Sequence, residues 1–169
     1  MLIKQLVVEA TNKPGELYKI VRTLSDNNID IKALISNAET EAGVIIAKVK
    51  LIVLNNEMAV STLQAEGFKA YLEDVVIVDV SDTPGAFTPI LSAIRKSETN
   101  IEYVYTFLSH IENKALAVFR FDNMEKGLKV LKDNHFTIVT DHTIKSRYGN
   151  APYFAERDIA EYLSTIITP

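Results

Sequence analysis

The chain has 169 residues, 47% of them hydrophobic and 24% charged, with a formal net charge of −4 and no cysteine. This is the composition of a water-soluble globular protein with room for one ordinary domain or two small ones, and it holds no apolar run long enough to span a bilayer and no signal pattern. Without thiols there are no disulfides, thiolate zinc sites or cysteine nucleophiles, which fits a cytoplasmic location, and the acidic balance argues against nucleic acid as the main partner.

The first element is a strand over Leu2–Thr11, with Leu6, Val8 and Ala10 on one face and Gln5 and Glu9 on the other. Asn12-Lys13-Pro14-Gly15 breaks it, and Pro14 suits the first turn of a helix because its missing N–H would be unpaired there anyway. Leu17, Ile20, Val21 and Leu24 recur at helical spacing, Asn27-Asn28 ends the helix, and Ile29 to Asn37 forms a second strand. Gly43 turns the chain into a strand over Val44–Leu54 that carries Lys48 and Lys50 on one face. Asn55 or Asn56 caps a helix that Gly67 stops, and Phe68 to Leu72 closes the unit.

The same series then begins again. Val78-Asp79-Val80-Ser81-Asp82-Thr83-Pro84-Gly85-Ala86-Phe87 repeats the earlier strand and loop, with Pro84 standing 70 residues after Pro14. A helix from Ala86 to about Ser97 follows, then a strand over Ile101–Ser109 and a turn near Glu112-Asn113. Strand Ala115–Phe121, helix Met124–Asn134 and strand Phe136–Thr140 complete the second copy. Asn28-Ile29 matches Asn100-Ile101 at an offset of 72, which implies a first helix longer by two residues in the second copy. A repeat of this length suits two small domains, 1–73 and 74–141, joined by little more than Glu73-Asp74, with an extension over 142–169.

A βαββαβ unit places four antiparallel strands under two helices, the ferredoxin-like arrangement of the α+β class. Two such units can lie edge to edge as one eight-stranded sheet with all helices on one face, leaving the other face in need of cover. From His142 the chain is polar, and after Pro152 a helical stripe of Ile159, Tyr162, Leu163, Ile166 and Ile167 is expected to cover that face or pack on a dimer mate.

The repeated loop is the candidate site. A helix start offers unpaired N–H groups and a positive dipole end to an anion, and a glycine leaves the backbone open to a ligand. Asn12 and Asp82 stand at the strand end to take a donor, Asp82 a cationic amine. A carboxylate acceptor beside an ammonium acceptor suits a free amino acid, although the same residues also make a good turn and cap.

The motifs Asn12-Lys13-Pro14-Gly15-Glu16-Leu17 with Asn28-Ile29-Asp30, and Asp82-Thr83-Pro84-Gly85-Ala86-Phe87 with Asn100-Ile101-Glu102, resemble the hallmark of ACT domains. The resemblance covers residues 3–141 and implies amino-acid-sensing regulatory domains that bind ligand where two domains meet. By position, Asn12, Pro14, Gly15 and Leu17, and Asp82, Pro84, Gly85 and Phe87, would line the sites, faced by Asn28, Ile29, Asn100 and Ile101. Asn12 stands where the family has Asp, which favours the second loop.

No catalytic domain accompanies the pair, so the implied protein is a homodimeric, ligand-responsive regulator and not an enzyme. The alternatives are an interaction module or regulatory subunit of an amino-acid biosynthetic enzyme that binds no ligand itself, and an enzyme with a cryptic site. His110, His135 and His142 lie far apart, so no metal site is expected, and no cofactor motif occurs. Phe119 and Phe121 flank Arg120 as an RNA platform would, but the first copy has no matching aromatics, and these phenylalanines are expected in the core. Tyr103 and Tyr105 suit either packing or ligand stacking.

Overall fold

The computed structural model describes residues 2–108 and 113–148. Its elements run β1 (Ile3–Thr11), α1 (Glu16–Asp26), β2 (Ile31–Glu41), β3 (Val44–Val53), α2 (Asn56–Ala65), β4 (Lys69–Ser81), α3 (Phe87–Arg95), β5 (Ile101–Leu108), β6 (Lys114–Phe121), α4 (Met124–Asp133), β7 (Ile138–Val139) and α5 (Asp141–Tyr148). Two βαββαβ units are present, and they share one antiparallel sheet in the order β2-β3-β1-β4-β6-β5, with β7 also on β4.

The sheet has seven strands because the last strand of the first unit and the first of the second are one. β4 pairs with β1 from Lys69 to Val75 and with β6 from Val76 to Ser81. Glu73 and Asp74, expected as a linker, lie inside this strand, where Asp74 accepts an ion pair from Lys4 Nζ at 2.8 Å.

Alternation along β4 sorts the three cores. Its even-numbered face carries Ala70 and Leu72 under α1 and α2, and Val76, Val78 and Val80 under α3 and α4. The four helices α1 to α4 therefore do share one face of the sheet. The odd-numbered face carries Val75 and Ile77 into a third core with Ile3, Ala33 and Ile52 of the first unit and Leu116 and Val118 of the second. Residues from both halves meet there because the sheet curls at β4, so the face that needed cover is covered largely by itself. Phe119 and Phe121 are fully buried under the helices, stacked at 5.8 Å.

Three expectations are corrected. Gln5, placed by alternation on a solvent-facing side, is fully buried, because the curl brings β5 over that side of β1. The polar stretch from His142 lies in α5 (Asp141–Tyr148), whose Ile144 is 3% exposed and closes the middle core with Val139. The offset of 72 is not structural. Asn28 and Glu98 hold the same left-handed conformation, and the bulge between Ile31 and Ala33 recurs between Ile101 and Tyr103, all at an offset of 70. The apolar stripe from Ile159 to Ile167 lies outside the described residues.

Candidate functional site

Each repeated loop turns the chain from a strand end into a helix through a glycine in the left-handed region, Gly15 at φ 91° and Gly85 at φ 84°. No atom lies within 4 Å of where a Cβ would stand at either glycine, so conformation, and not crowding, demands glycine. Backbone bonds from Glu16 N to Lys13 O at 3.3 Å and from Ala86 N to Thr83 O at 3.2 Å give the two turns the same form. In the second, Asp82 N also donates to Asn113 O at 2.9 Å, tying the loop to the start of β6.

The helix starts divide by position in the repeat. α2 and α4 are capped by side chains: Asn55 accepts from Met58 N and Asn123 from Lys126 N. α1 and α3, which follow the loops, have no side-chain cap. At α3, Ala86 N and Thr88 N are already bonded, to Thr83 O and Gly85 O, and Pro89 has no N–H; Gly85 N and Phe87 N are the donors at this helix start with no acceptor among the described residues, and the dipole adds a preference for negative charge. Asn12 and Asp82 are exposed, and their side chains make no hydrogen bond or ion pair with the described residues.

Two features separate the loops. The first turn of α1 carries Glu16, paired with Lys19 at 2.6 Å, whereas that of α3 carries no acid. A ligand carboxylate would meet a like charge in the first turn of α1 and none in that of α3. The second loop also has the carboxylate of Asp82 for an ammonium.

The other candidate residues divide differently. Leu17 projects, 40% exposed, while Phe87 is half-buried with its ring 6.4 Å from that of Phe119. Asn28 supplies the left-handed residue that ends α1, a conformation asparagine tolerates, and Ile29 is buried in the first core. Asn100 donates to Asp122 from its backbone N at 3.1 Å and from Nδ2 at 3.3 Å, and Ile101 packs against the second core. These bonds, with others from Thr99 and Asn123, hold the Asp122 carboxyl below its ordinary range. The side chains read as facing the loops thus already have structural tasks.

Nor does one chain bring them to the loops. Thr11 pairs with Ile46, but β2 begins opposite Val53, roughly 20 Å along β3. In the second copy Ser81 pairs with Lys114, while Ile101 pairs with Phe121 at the far end of β6. The two loops themselves lie at opposite ends of β4, roughly 40 Å apart along the strand. In each copy the loop and the start of β2 or β5 thus lie at opposite ends of the unit.

An open cleft of about 630 Å³ lies beside the first loop, lined among others by Thr11, Glu16, Arg22, Phe68 and Lys69. Its charges are largely paired, Lys69 with Glu9 and Arg22 with Asp26. Among the described residues no group of three or more His, Asp or Glu side chains is placed to hold a metal, and no helix is long and apolar enough to cross a membrane.

Sequence reasoning missed a polar cluster in the middle core: Gln5, Lys50, Glu73, Tyr103 and Tyr105. Only the position of two tyrosines on one strand hinted at it.

Duplicated βαββαβ units, each with a glycine turn from its first strand into an uncapped helix, define a tandem pair of small α+β domains. Residues 1–147 match the family described as the ACT domain pair, and the chain belongs to that family. A crystal structure of a protein from Bacteroides thetaiotaomicron is similar at 28% identity and TM-score 0.75, over 85% of this chain and 96% of that one. The regulatory subunit of aspartate kinase from Thermus flavus shares the fold at 16% identity and TM-score 0.54, over 79% and 95% of the two chains. Its counterpart from Thermus thermophilus, in a ligand-free form, does so at 18% and 0.52, over 78% and 92%. No curated protein matches the sequence.

Proposed function

We propose that this ACT domain pair is a regulatory protein that senses a small amino acid at the Asp82–Phe87 loop. The observation that carries the reading is the uncapped, acid-free start of α3 beside the carboxylate of Asp82, which is exposed and has no partner among the described residues. The amides of Gly85 and Phe87 would take the ligand carboxylate, and Asp82 would take the ammonium. Gly85, with open space where a Cβ would be, lets the ligand reach the backbone.

The working unit in this reading is a homodimer. β2 and β5 end the sheet, and each exposes a large apolar residue at the same point of the repeat, Leu34 and Val104, both 40% exposed. A second copy pairing on these edges would shield them and bring a β2 or β5 to a loop. A ligand that bridges two chains stabilises one orientation over others, and a partner reads the shift. The shared fold with aspartate kinase regulatory subunits supports a biosynthetic enzyme as that partner. A cytoplasmic location and the absence of catalysis belong to the same reading.

The test is a thermal-shift screen against the twenty amino acids with wild type and Asp82→Asn. A ligand that binds only the folded chain raises the melting temperature by mass action. One or a few amino acids should shift wild type and not the variant. No shift from any would favour the module that regulates an enzyme without binding ligand.

A further inference from the structure

We infer that a polar relay through the middle core couples the two edge strands, β2 and β5, and so couples one copy of the repeat to the other. It begins on β2, where Asn37 Oδ1 and Glu39 Oε1 each accept from Lys50 Nζ at 3.2 Å. The Lys50 ammonium lies 4.5 Å from the centre of the Tyr103 ring on β5. Tyr103 Oη accepts from Gln5 Nε2 at 2.7 Å and donates to Glu73 Oε2 at 3.0 Å. Tyr105 Oη donates to Gln5 Oε1 at 2.6 Å.

Along the sheet, β2 and β5 are the most distant strands, separated by β3, β1, β4 and β6. The curl brings Tyr103 of β5 over Lys50 of β3, and Lys50 reaches Asn37 and Glu39 of β2, so these side chains span the interior between the two edges. A change at one edge has a route to the other that passes through Lys50 of β3 and bypasses the ladders of β1, β4 and β6.

Burial makes the relay discrete. Gln5 is fully buried with each end of its amide held by a different tyrosine, so it cannot turn without stranding a polar group. Lys50 is 5% exposed and depends on Glu39, Asn37 and the Tyr103 ring to offset the loss of water. If β5 moves, the ring leaves Lys50, and the ammonium must find a new arrangement with Asn37 and Glu39. Burial, reinforced by Glu73, raises the pKa of Tyr103, so its hydroxyl keeps the proton it donates.

The relay rests on the sensor reading only for what moves the strands in use, and its own test needs no ligand. Amide hydrogen exchange is measured across the full chain for wild type, Tyr103→Phe and Asn37→Ala, with Ile90→Val as a comparison that weakens a core off the relay. Tyr103→Phe keeps the ring and deletes the hydroxyl. It should raise exchange of the protected amides between Ile35 and Glu39 by about tenfold beyond any uniform rise seen in Ile90→Val. Asn37→Ala, at an exposed position, should in turn raise exchange between Tyr103 and Phe107. Changes confined to each altered strand and its ladder neighbour, or no more than the uniform rise, would overturn the relay. Failure of the sensor reading would show separately, as the absence of any amino-acid shift.

Discussion

Asn28 and Glu98 hold the same left-handed backbone, φ 55° and 56°, at the same point of the two copies. Asparagine accepts that conformation readily and glutamate does not. Glu98→Gly should therefore stabilise the chain by roughly 0.5–1 kcal/mol, read as a higher urea midpoint. Asn28→Glu should lower it by a similar amount.

Gly127 lies inside α4 for a packing reason. A Cβ added there would stand 2.3 Å from the Phe121 ring, which is itself fully buried and stacked on Phe119. A helix interior ordinarily gains from Gly→Ala, but Gly127→Ala should cost about 2 kcal/mol by displacing that ring. The melting temperature decides the sign.

Acid should weaken the fold at a nameable place. Burial raises the pKa of Glu39, but hydrogen bonds from Asn37, Lys48 and Lys50 outweigh it and hold the carboxyl at about 2. Lys69, together with Tyr71, holds Glu9 below its ordinary range as well. Both groups stay ionised in the folded chain at a pH where the unfolded chain takes up protons. Their contribution is complete above the ordinary carboxylate range and is lost as pH falls from there toward about 2. Urea midpoints at neutral and acid pH should fall less steeply for Glu39→Gln than for wild type, from a lower start because Lys50 loses its charged partner.

The homodimer reading predicts that a cation on either sheet edge splits the assembly. Leu34→Lys and Val104→Lys should each yield monomers by sedimentation while melting within about 1 kcal/mol of wild type, since both side chains are already 40% exposed. Unchanged sedimentation would remove the edges as the interface.

The repeat and its loops were legible because they rest on local chemistry: the alternation of Leu6, Val8 and Ala10, and a proline and glycine at fixed places before a helical stripe. The helix caps were legible for the same reason, as Asn55 shows. What lay beyond reach depends on contacts distant in sequence. Glu73 and Asp74 look like a linker until Tyr103 and Lys4 are placed beside them. Gln5 looks solvent-facing until the curl brings Tyr103 and Tyr105 over it, from roughly a hundred residues away in the chain. Asn100 resembles Asn28 in sequence, yet Asp122 holds it in place while Asn28 ends a helix, a difference set by a strand register.

The central claim is that the Asp82–Phe87 loop takes an amino acid. Its most direct test is a backbone-amide NMR titration of the full chain with each amino acid that raises the melting temperature. The account predicts the largest shifts at the amides of Gly85, Ala86 and Phe87, reduced at least about tenfold in affinity by Asp82→Asn. Shifts confined to the cleft beside Glu16 and Lys69, with the second loop unmoved, would contradict it.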